Sequence, residues 1–586
     1  MNDLRVCSRR ERARRWSRRA RGVVGLVGVV GAIAWVTPAW SQPTDQGLEN
    51  EEGALDVNAR EKKRPESVEV DAEYRLQSIR VDPYELSGTS VGGTTWTEQR
   101  LRMNLRLKRE KTVEVFVQVD ALDGVLFGDN GLYARDPSPN SGVSLSVKRP
   151  NRTGLFVGLP DGGDPLDKKS YRPVLREIDP IEINFAYATA FLPVGILRVG
   201  RQPQNEGAAL AAHDGGRYNR WGVSRFADTS DRILFGTKLD EAWRVATQGP
   251  DYKPSLDLNN GLFLAVAYDW LTQNPAWGGV GDARQLNFAL LFRQEEADWG
   301  GLQWSDVTAS SVVVRIFDDD FESRIWGFPQ RLEFKANDFR LTSQMMIIRG
   351  ETREISEGFA ALASGNKEPQ VQNLKAQGAQ VIADYKLGPL TLTMEFDYAS
   401  GDADPRSSGD VTSYSFARDL NVGLLMFEHI LAFESARSVA VGVENLASLD
   451  ADSFPITEIQ TDGRFTNALA LFPQLKLDIV DTLENKLHTR FGVLFAWPAA
   501  DGVVDPILTT LQEDGDEIRD DAVNFHGGRP GSYYGTEFDL QIEWDFRKSF
   551  TWTIEAAYLL PGSSLQDEHG DAVPAYLLEN RFVYTF

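Results

Sequence analysis

Few residues in this chain have the type and spacing that covalent chemistry needs. Gly88-Thr89-Ser90-Val91-Gly92 fits the serine-hydrolase pattern G-x-S-x-G. A nucleophile elbow requires a buried strand before the serine and a helix after it. Asp82-Pro83-Tyr84-Glu85 precedes and Gly93-Thr94-Thr95-Trp96 follows, so the segment reads as a loop. The histidines are His213, His429, His488, His526 and His569; none has metal-ligand spacing with another, and no H-E-x-x-H occurs. His213-Asp214 reads as a solvated loop pair. Two acidic clusters, Asp318-Asp319-Asp320 and Glu513-Asp514-Gly515-Asp516-Glu517 to Asp521, lack the D-x-D-x-D-G order of a calcium loop and read as solvated, self-repelling loops. No catalytic residue, cofactor or metal site is therefore expected.

The charged residues that remain recur at every second position, opposite apolar ones, and that placement suits the wall of a water-filled passage. Arg102, Arg106 and Lys108 alternate with Leu101, Met103, Leu105 and Leu107. Glu114 and Asp120 oppose Val113, Val115, Val117 and Val119. Glu537, Asp539, Glu543 and Asp545 oppose Phe538, Leu540, Ile542, Trp544 and Phe546. Arg198, Arg340, Glu395 and Asp397 occupy like positions. A helix would scatter these sets; a strand puts each on one face. Basic and acidic strands facing each other across a pore would create a transverse field. Arginines 102 and 106 with Lys108 at a constriction would favour anions.

Strands must position these residues, and the chain supplies them almost throughout. Ile181, Ile183, Phe185 and Tyr187 predict one apolar face, as do Leu262, Leu264, Val266, Tyr268 and Trp270. Phe339, Leu341, Met345 and Ile347 predict another. Gln380–Leu387 and Leu390–Tyr398 read as a hairpin around Gly388-Pro389, and Trp552, Ile554 and Tyr558 oppose Thr551, Thr553 and Glu555. Short links alternate with long polar segments such as 124–180, 202–230, 351–374, 401–421 and 498–531. Short turns at one end and long loops at the other are the pattern of an outer-membrane barrel. Propellers and tandem sandwiches also alternate, but no repeat of about 40–50 residues occurs.

Composition agrees. The 586 residues carry 62 Lys+Arg against 85 Asp+Glu, a net charge of −23, which argues against a nucleic-acid partner. Mean hydropathy is −0.32, too polar for a bundle of membrane helices but compatible with strands that show lipid only alternate residues. The 14 Trp, 16 Tyr and 31 Phe argue against disorder.

Residues 1–41 read as a secretory signal peptide: arginines crowd positions 5–21, an apolar run spans 22–36, and Ala39-Trp40-Ser41 offers small residues around a cleavage point. Cleavage would remove Cys7, the one cysteine, and leave a more acidic chain. Residues 42–71 read as a polar leader and 72–586 as the barrel. Phe582, Tyr584 and Phe586 share one face of the last strand, where the barrel-assembly machinery would read them; Asn580 departs from the apolar residue that such a signal prefers.

Several short motifs carry a family resemblance. Trp96-Thr97-Glu98-Gln99-Arg100-Leu101-Arg102 leading to Gln118-Val119-Asp120, Val199-Gly200-Arg201-Gln202, Tyr398-Ala399-Ser400-Gly401-Asp402, and Tyr534–Asp539 followed by Tyr558-Leu559-Leu560-Pro561-Gly562 resemble segments of alginate-export-type outer-membrane porins and related large barrels. The resemblance spans about Tyr74 to Phe586. It implies a monomeric barrel of about 18 strands, an even number between 16 and 20, but no motif marks the arginine-rich constriction of those exporters.

The expectation is thus a single transmembrane antiparallel β-barrel, all-β, with short periplasmic turns and long extracellular loops. It would lie in a Gram-negative outer membrane among lipid and lipopolysaccharide. It would pass hydrophilic, possibly charged or oligosaccharide, solutes by passive diffusion. Export of an acidic polysaccharide, or a non-conducting surface-interaction barrel, are the alternatives.

Overall fold

Alternating segments become strands because one face of each can be apolar while the other stays polar. In the computed structural model twenty of them form one sheet. In chain order they are β1 Ser67–Asp82, β2 Thr94–Arg109, β3 Val113–Gly128, β4 Asp179–Leu192, β5 Gly195–Pro203, β6 Thr229–Lys238, β7 Gly261–Trp270, β8 Arg284–Trp299, β9 Leu302–Asp318 and β10 Ser323–Gly327. They continue with β11 Gln330–Ala336, β12 Phe339–Thr352, β13 Gln372–Leu374, β14 Gln377–Leu387, β15 Leu390–Ala399, β16 Ala468–Asp481, β17 Asn485–Pro498, β18 Gly535–Phe546, β19 Phe550–Pro561 and β20 Ala575–Thr585. One helix, α1 Leu239–Gln248, lies between β6 and β7. The structure describes residues 67–586 except 84–85, 87–93, 110–111, 129–131, 134–144, 147–155, 158–178, 206–208, 225–226, 250, 256, 272–282, 355, 357–368, 403–408, 419, 433–460, 462, 501–530 and 567–569. The G-x-S-x-G segment, residues 1–41 and the acidic cluster at 513–521 lie outside the described residues.

Each strand pairs antiparallel with the next except β10 with β11 and β13 with β14, and β20 pairs with β1 from Glu73↔Thr585 to Asp82↔Tyr576, closing the barrel. β10 and β11 share one wall position between β9 and β12. Pro329, which has no N–H to give the ladder, separates them. β13 and β14 share another position between β12 and β15. The wall therefore has eighteen strand positions, the number that the family resemblance implies.

The start of β1, the end of β20 and the tight links lie at one end of the barrel. Gly300-Gly301, with φ of 63° and 77°, makes the β8–β9 turn in the left-handed region that glycine enters without strain. The long loops leave from the other end, except the α1-bearing link between β6 and β7, which lies with the tight turns.

The outward face is apolar. Leu290, Met345, Leu392, Leu475, Leu540 and Leu578 are each between 40% and 50% exposed. A belt of such residues around the whole wall would far exceed the apolar patches that soluble monomers show to water, so its solvent is lipid. Aromatic residues rim it. Trp544, Phe550, Trp552, Phe582, Tyr584 and Phe586 cluster near the short turns, with Trp552 and Phe582 stacked at 6.2 Å. Phe582, Tyr584 and Phe586 all face outward. Asn580 shares that face, and its Oδ1 accepts the Trp552 indole N–H at 2.7 Å, which gives a polar residue there a partner.

One predicted face breaks. Ile181 and Ile183 point outward, but Phe185 is buried and Tyr187 follows it inward. The cause is a bulge: Gln118 pairs with Phe185 and Val119 with Ile183, leaving Asn184 over. One extra residue inverts the alternation beyond it.

Candidate functional site

The interior is not an open tube. The described residues of 204–228, the segment linking β5 and β6, turn into the lumen and cross it. They are held first near their origin, where Arg75 on β1 donates to the Ser224 carbonyl at 3.1 Å and Arg102 on β2 to the Gly215 carbonyl at 2.8 Å. They are held again at the far wall. Arg220 makes a bidentate pair with Asp384 on β14, at 2.7 and 2.8 Å, and reaches Thr393 on β15. The Arg220 carbonyl accepts from Arg490 on β17 and Gln541 on β18, each at 3.1 Å. Gly222 N–H donates to Glu555 on β19, and Arg217 lies 3.7 Å from Glu543. Burial works against the Arg220 charge, but the Asp384 carboxylate outweighs it and holds the guanidinium above its ordinary range.

His213 fixes this loop's fold. It is fully buried, not the solvated pair that the sequence suggests. Its Nδ1 accepts the Gly215 N–H and its Nε2 lies 3.0 Å from Ser224 Oγ. The Nδ1 acceptor requires the Nε2-protonated neutral ring, whose proton Ser224 accepts. Asp228 accepts the His213 N–H; burial raises its pKa, opposed by that bond and by Arg464 and Arg418.

The described residues of a second segment, 400–467, fold in beside the first. Tyr414 Oη and Ala417 N–H both donate to the Leu210 carbonyl, tying the two loops together. Leu424, Leu425, Met426, Phe427, Ile430 and Phe465 form an apolar core inside the barrel. The carboxylate of Glu537 accepts the N–H groups of Leu424, Leu425 and Met426 at 2.7, 2.8 and 2.6 Å, satisfying a helical start that would otherwise be unpaired. Trp221 stacks on Phe472 at 5.7 Å and lies under the Arg490 guanidinium. Gly492 leaves the room: a Cβ there would stand 2.5 Å from the Phe472 ring and 3.1 Å from Trp221.

The charged residues singled out in the sequence all face the lumen, and most are matched by neighbours on their own wall. Arg102 is bidentate with Asp120, at 2.7 and 2.8 Å, and both are buried. Arg106 pairs with Glu114 at 3.2 Å, and Lys108 with Glu69 at 2.9 Å. Arg340 pairs with Glu333. Arg198 donates to Thr189 and lies 4.5 Å over the Tyr187 ring. Glu395 and Asp397 take the amides of Gln474 and Gln380. Asp539 is fully buried two residues from Glu537, and Glu543 accepts from Thr553. The charges of β2 therefore do not meet those of β15 and β18 across open water. Among the described residues, the cations that meet this acidic wall include Arg217 and Arg220, brought there by the loop, Arg490 within the wall on β17, and Arg581, which pairs with Glu555 and Glu579.

Sequence reasoning missed the loop-borne arginines. The signal was present in Arg217-Tyr218-Asn219-Arg220-Trp221, two arginines with two aromatics in a segment otherwise rich in glycine and alanine. Asp318 is also buried rather than solvated, and its Oδ1 accepts the Asp320 N–H in a turn.

No known protein family and no curated protein matches the sequence. Among solved structures the chain is similar to OccAB1 of Acinetobacter baumannii, with 11% identity, TM-score 0.45, and 89% of this chain and 97% of that one covered. It is similar to OprD of Pseudomonas aeruginosa, with 10% identity, TM-score 0.40 and coverage of 89% and 94%. It is similar also to OccK5 (OpdH) of the same organism, with 10% identity, TM-score 0.40 and coverage of 88% and 98%. Identity at this level assigns neither a family nor a cargo; the barrel stands on its own strand pairing.

Proposed function

We propose that the protein is an outer-membrane channel for passive diffusion of small hydrophilic solutes, and that residues 204–228 form its constriction. The observation that carries this is the span of that loop, anchored on β1 and β2 at one side and, through Arg220, on β14 and β15 at the other. A loop held at both walls narrows a lumen without depending on the bilayer. Charged side chains that keep partial exposure line the way past it: Glu73, Arg106, Glu114, Arg217, Asp384 and Glu543. Such a lining replaces part of a solute's hydration and rejects apolar molecules. In this reading the short turns face the periplasm and the loops face outward, as in other bacterial barrels. The outward Phe582, Tyr584 and Phe586 serve assembly, and the barrel works as a monomer. Polysaccharide export fits less well, because a polymer needs a passage that the two infolded loops occupy.

Planar-bilayer recording of the purified protein tests the proposal. Stepwise conductance is expected, with Arg217→Glu shifting the reversal potential in asymmetric salt towards cations. The complete absence of steps would sink the channel reading and favour a surface-interaction barrel.

A further inference from the structure

The outward face carries a second charged feature, at its loop-end rim. Strand register sets Arg315 on β9 beside Trp326 on β10, and Trp326 beside Arg349 on β12. One pleat nearer the loops, Arg284 on β8 lies beside Phe317, which lies beside Arg324, which lies beside Glu351. Alternation turns these residues outward: Gln285, Ile316, Ile325 and Ile348 next to them in sequence are buried inward. Four arginines thus share a small area of the lipid-facing surface. Adjacent strands are about 4.8 Å apart, so Arg315 and Arg349 are separated by about 10 Å. Diagonal neighbours such as Arg315 and Arg324 are closer, at about 7–8 Å.

These arginines sit where the apolar belt ends. Below them on the same strands come Leu286, Phe288, Val313, Met345 and Ile347. Trp270 and Trp326, 42% and 40% exposed, mark the interfacial level. A cation costs little there and several-fold more at the midplane.

Their charge is largely unmatched. Arg324 has Glu351 at 3.6 Å. Arg315 lies 5.2 Å over the Trp326 ring. Arg349 donates through one nitrogen to the Ile348 and Ala376 carbonyls. Among the described residues neither Arg284 nor Arg315 has a carboxylate partner, and Glu322 close by is taken by Arg353. Outward arginines elsewhere at this rim differ: Arg80 pairs with Asp82, and Arg201 is bidentate with Asp231. Among the described residues of this rim, the unmatched arginines lie on β8–β12.

We propose that this face binds the phosphates of an anionic glycolipid in the outer leaflet, with its acyl chains along the apolar residues below. Guanidinium forks match phosphate oxygens in bidentate geometry, and charge-assisted bonds of this kind are the strong ones. The spacing suits two phosphate groups on one headgroup. The inference rests on placing the barrel in an outer membrane and not on its conducting.

The test is native mass spectrometry of the purified barrel in detergent micelles, with diphosphoryl lipid A as the probe. One lipid per barrel is expected, with R315Q/R349Q lowering apparent affinity at least tenfold and R315K/R349K restoring most of it. R201Q, at the neutral pair on another strand, should leave binding unchanged. Unaltered gel mobility of unheated samples would show that each variant is folded. The proposal is overturned if R315Q/R349Q binds as the parent does, or if R201Q weakens binding equally. It is overturned too if fully dephosphorylated lipid A binds as tightly, or if millimolar inorganic phosphate strips the lipid. Failure of the channel reading would show separately, as absent conductance, and failure of the outer-membrane placement as absence from outer-membrane fractions.

Discussion

Replacing Arg220 by glutamine should loosen the crossing loop by a calculable amount. The Arg220–Asp384 pair has two parallel bonds of 2.7 and 2.8 Å, and its side chains are 24% and 14% exposed. Removing one partner of a fully buried pair costs about 3–5 kcal/mol, because the other charge is left behind. Partial access to water reduces this to about 2–3 kcal/mol. At 1.4 kcal/mol per tenfold, the loop's undocked population should rise roughly 30- to 140-fold. Hydrogen exchange would read this directly, through the amides of 209–224, among them Gly222, whose N–H is bonded to Glu555. Single-channel records should show matching growth in open-channel noise. Adding Asp384→Asn to Arg220→Gln should recover part of the loss, since no carboxylate is then stranded. If exchange over 209–224 in Arg220→Gln stays within threefold of the parent, the loop is not held by this pair and the anchoring argument fails.

Glu354 is buried near the Asp318 carboxylate, and burial first, then that charge, pushes its pKa well above the usual range. A carboxyl whose folded pKa is raised loses stability as pH climbs from its unfolded pKa of about 4.3 towards the folded one. Glu354→Gln should therefore slow exchange of the 319–322 and 353–354 amides at pH 8, with the gain vanishing below pH about 4. Gly492→Ala should cost about 1–3 kcal/mol by overpacking, since the new Cβ meets the Phe472 ring at 2.5 Å, and should raise exchange at 219–222 without altering strand amides. Glu537→Gln keeps the shape but not the charge that accepts three N–H groups, so exchange at 424–426 should rise about tenfold while β18 stays protected.

The outward face of this barrel is legible in the sequence because it is set locally. Leu101, Met103, Leu105 and Leu107 need only alternate to define it, and nothing beyond the strand's own pleat decides where they point. Its exception is equally local in cause but invisible in pattern: the bulge at Asn184 inverts Phe185 and Tyr187 while leaving the spacing of apolar residues intact. The strand count comes from the family resemblance and not from alternation, and β10 and β11 show why: one wall position can be divided at a proline.

The inward face is legible only as polar, since what each polar residue does depends on which loop lands against it. Glu537 and Glu543 occupy equivalent positions of one strand, yet the first caps the start of a helical turn at 424–426 and the second faces Arg217. Both partners lie more than 100 residues away, and no periodicity connects them. The same non-locality bears on permeation. Arg102 and Asp120, adjacent on neighbouring strands, cancel each other and contribute little field to a passing ion. Arg217, on a loop and 37% exposed, has Glu543 only at 3.7 Å and so keeps more of its field. Ion preference should accordingly respond more to Arg217 than to Arg102, even though the sequence advertises Arg102 more clearly.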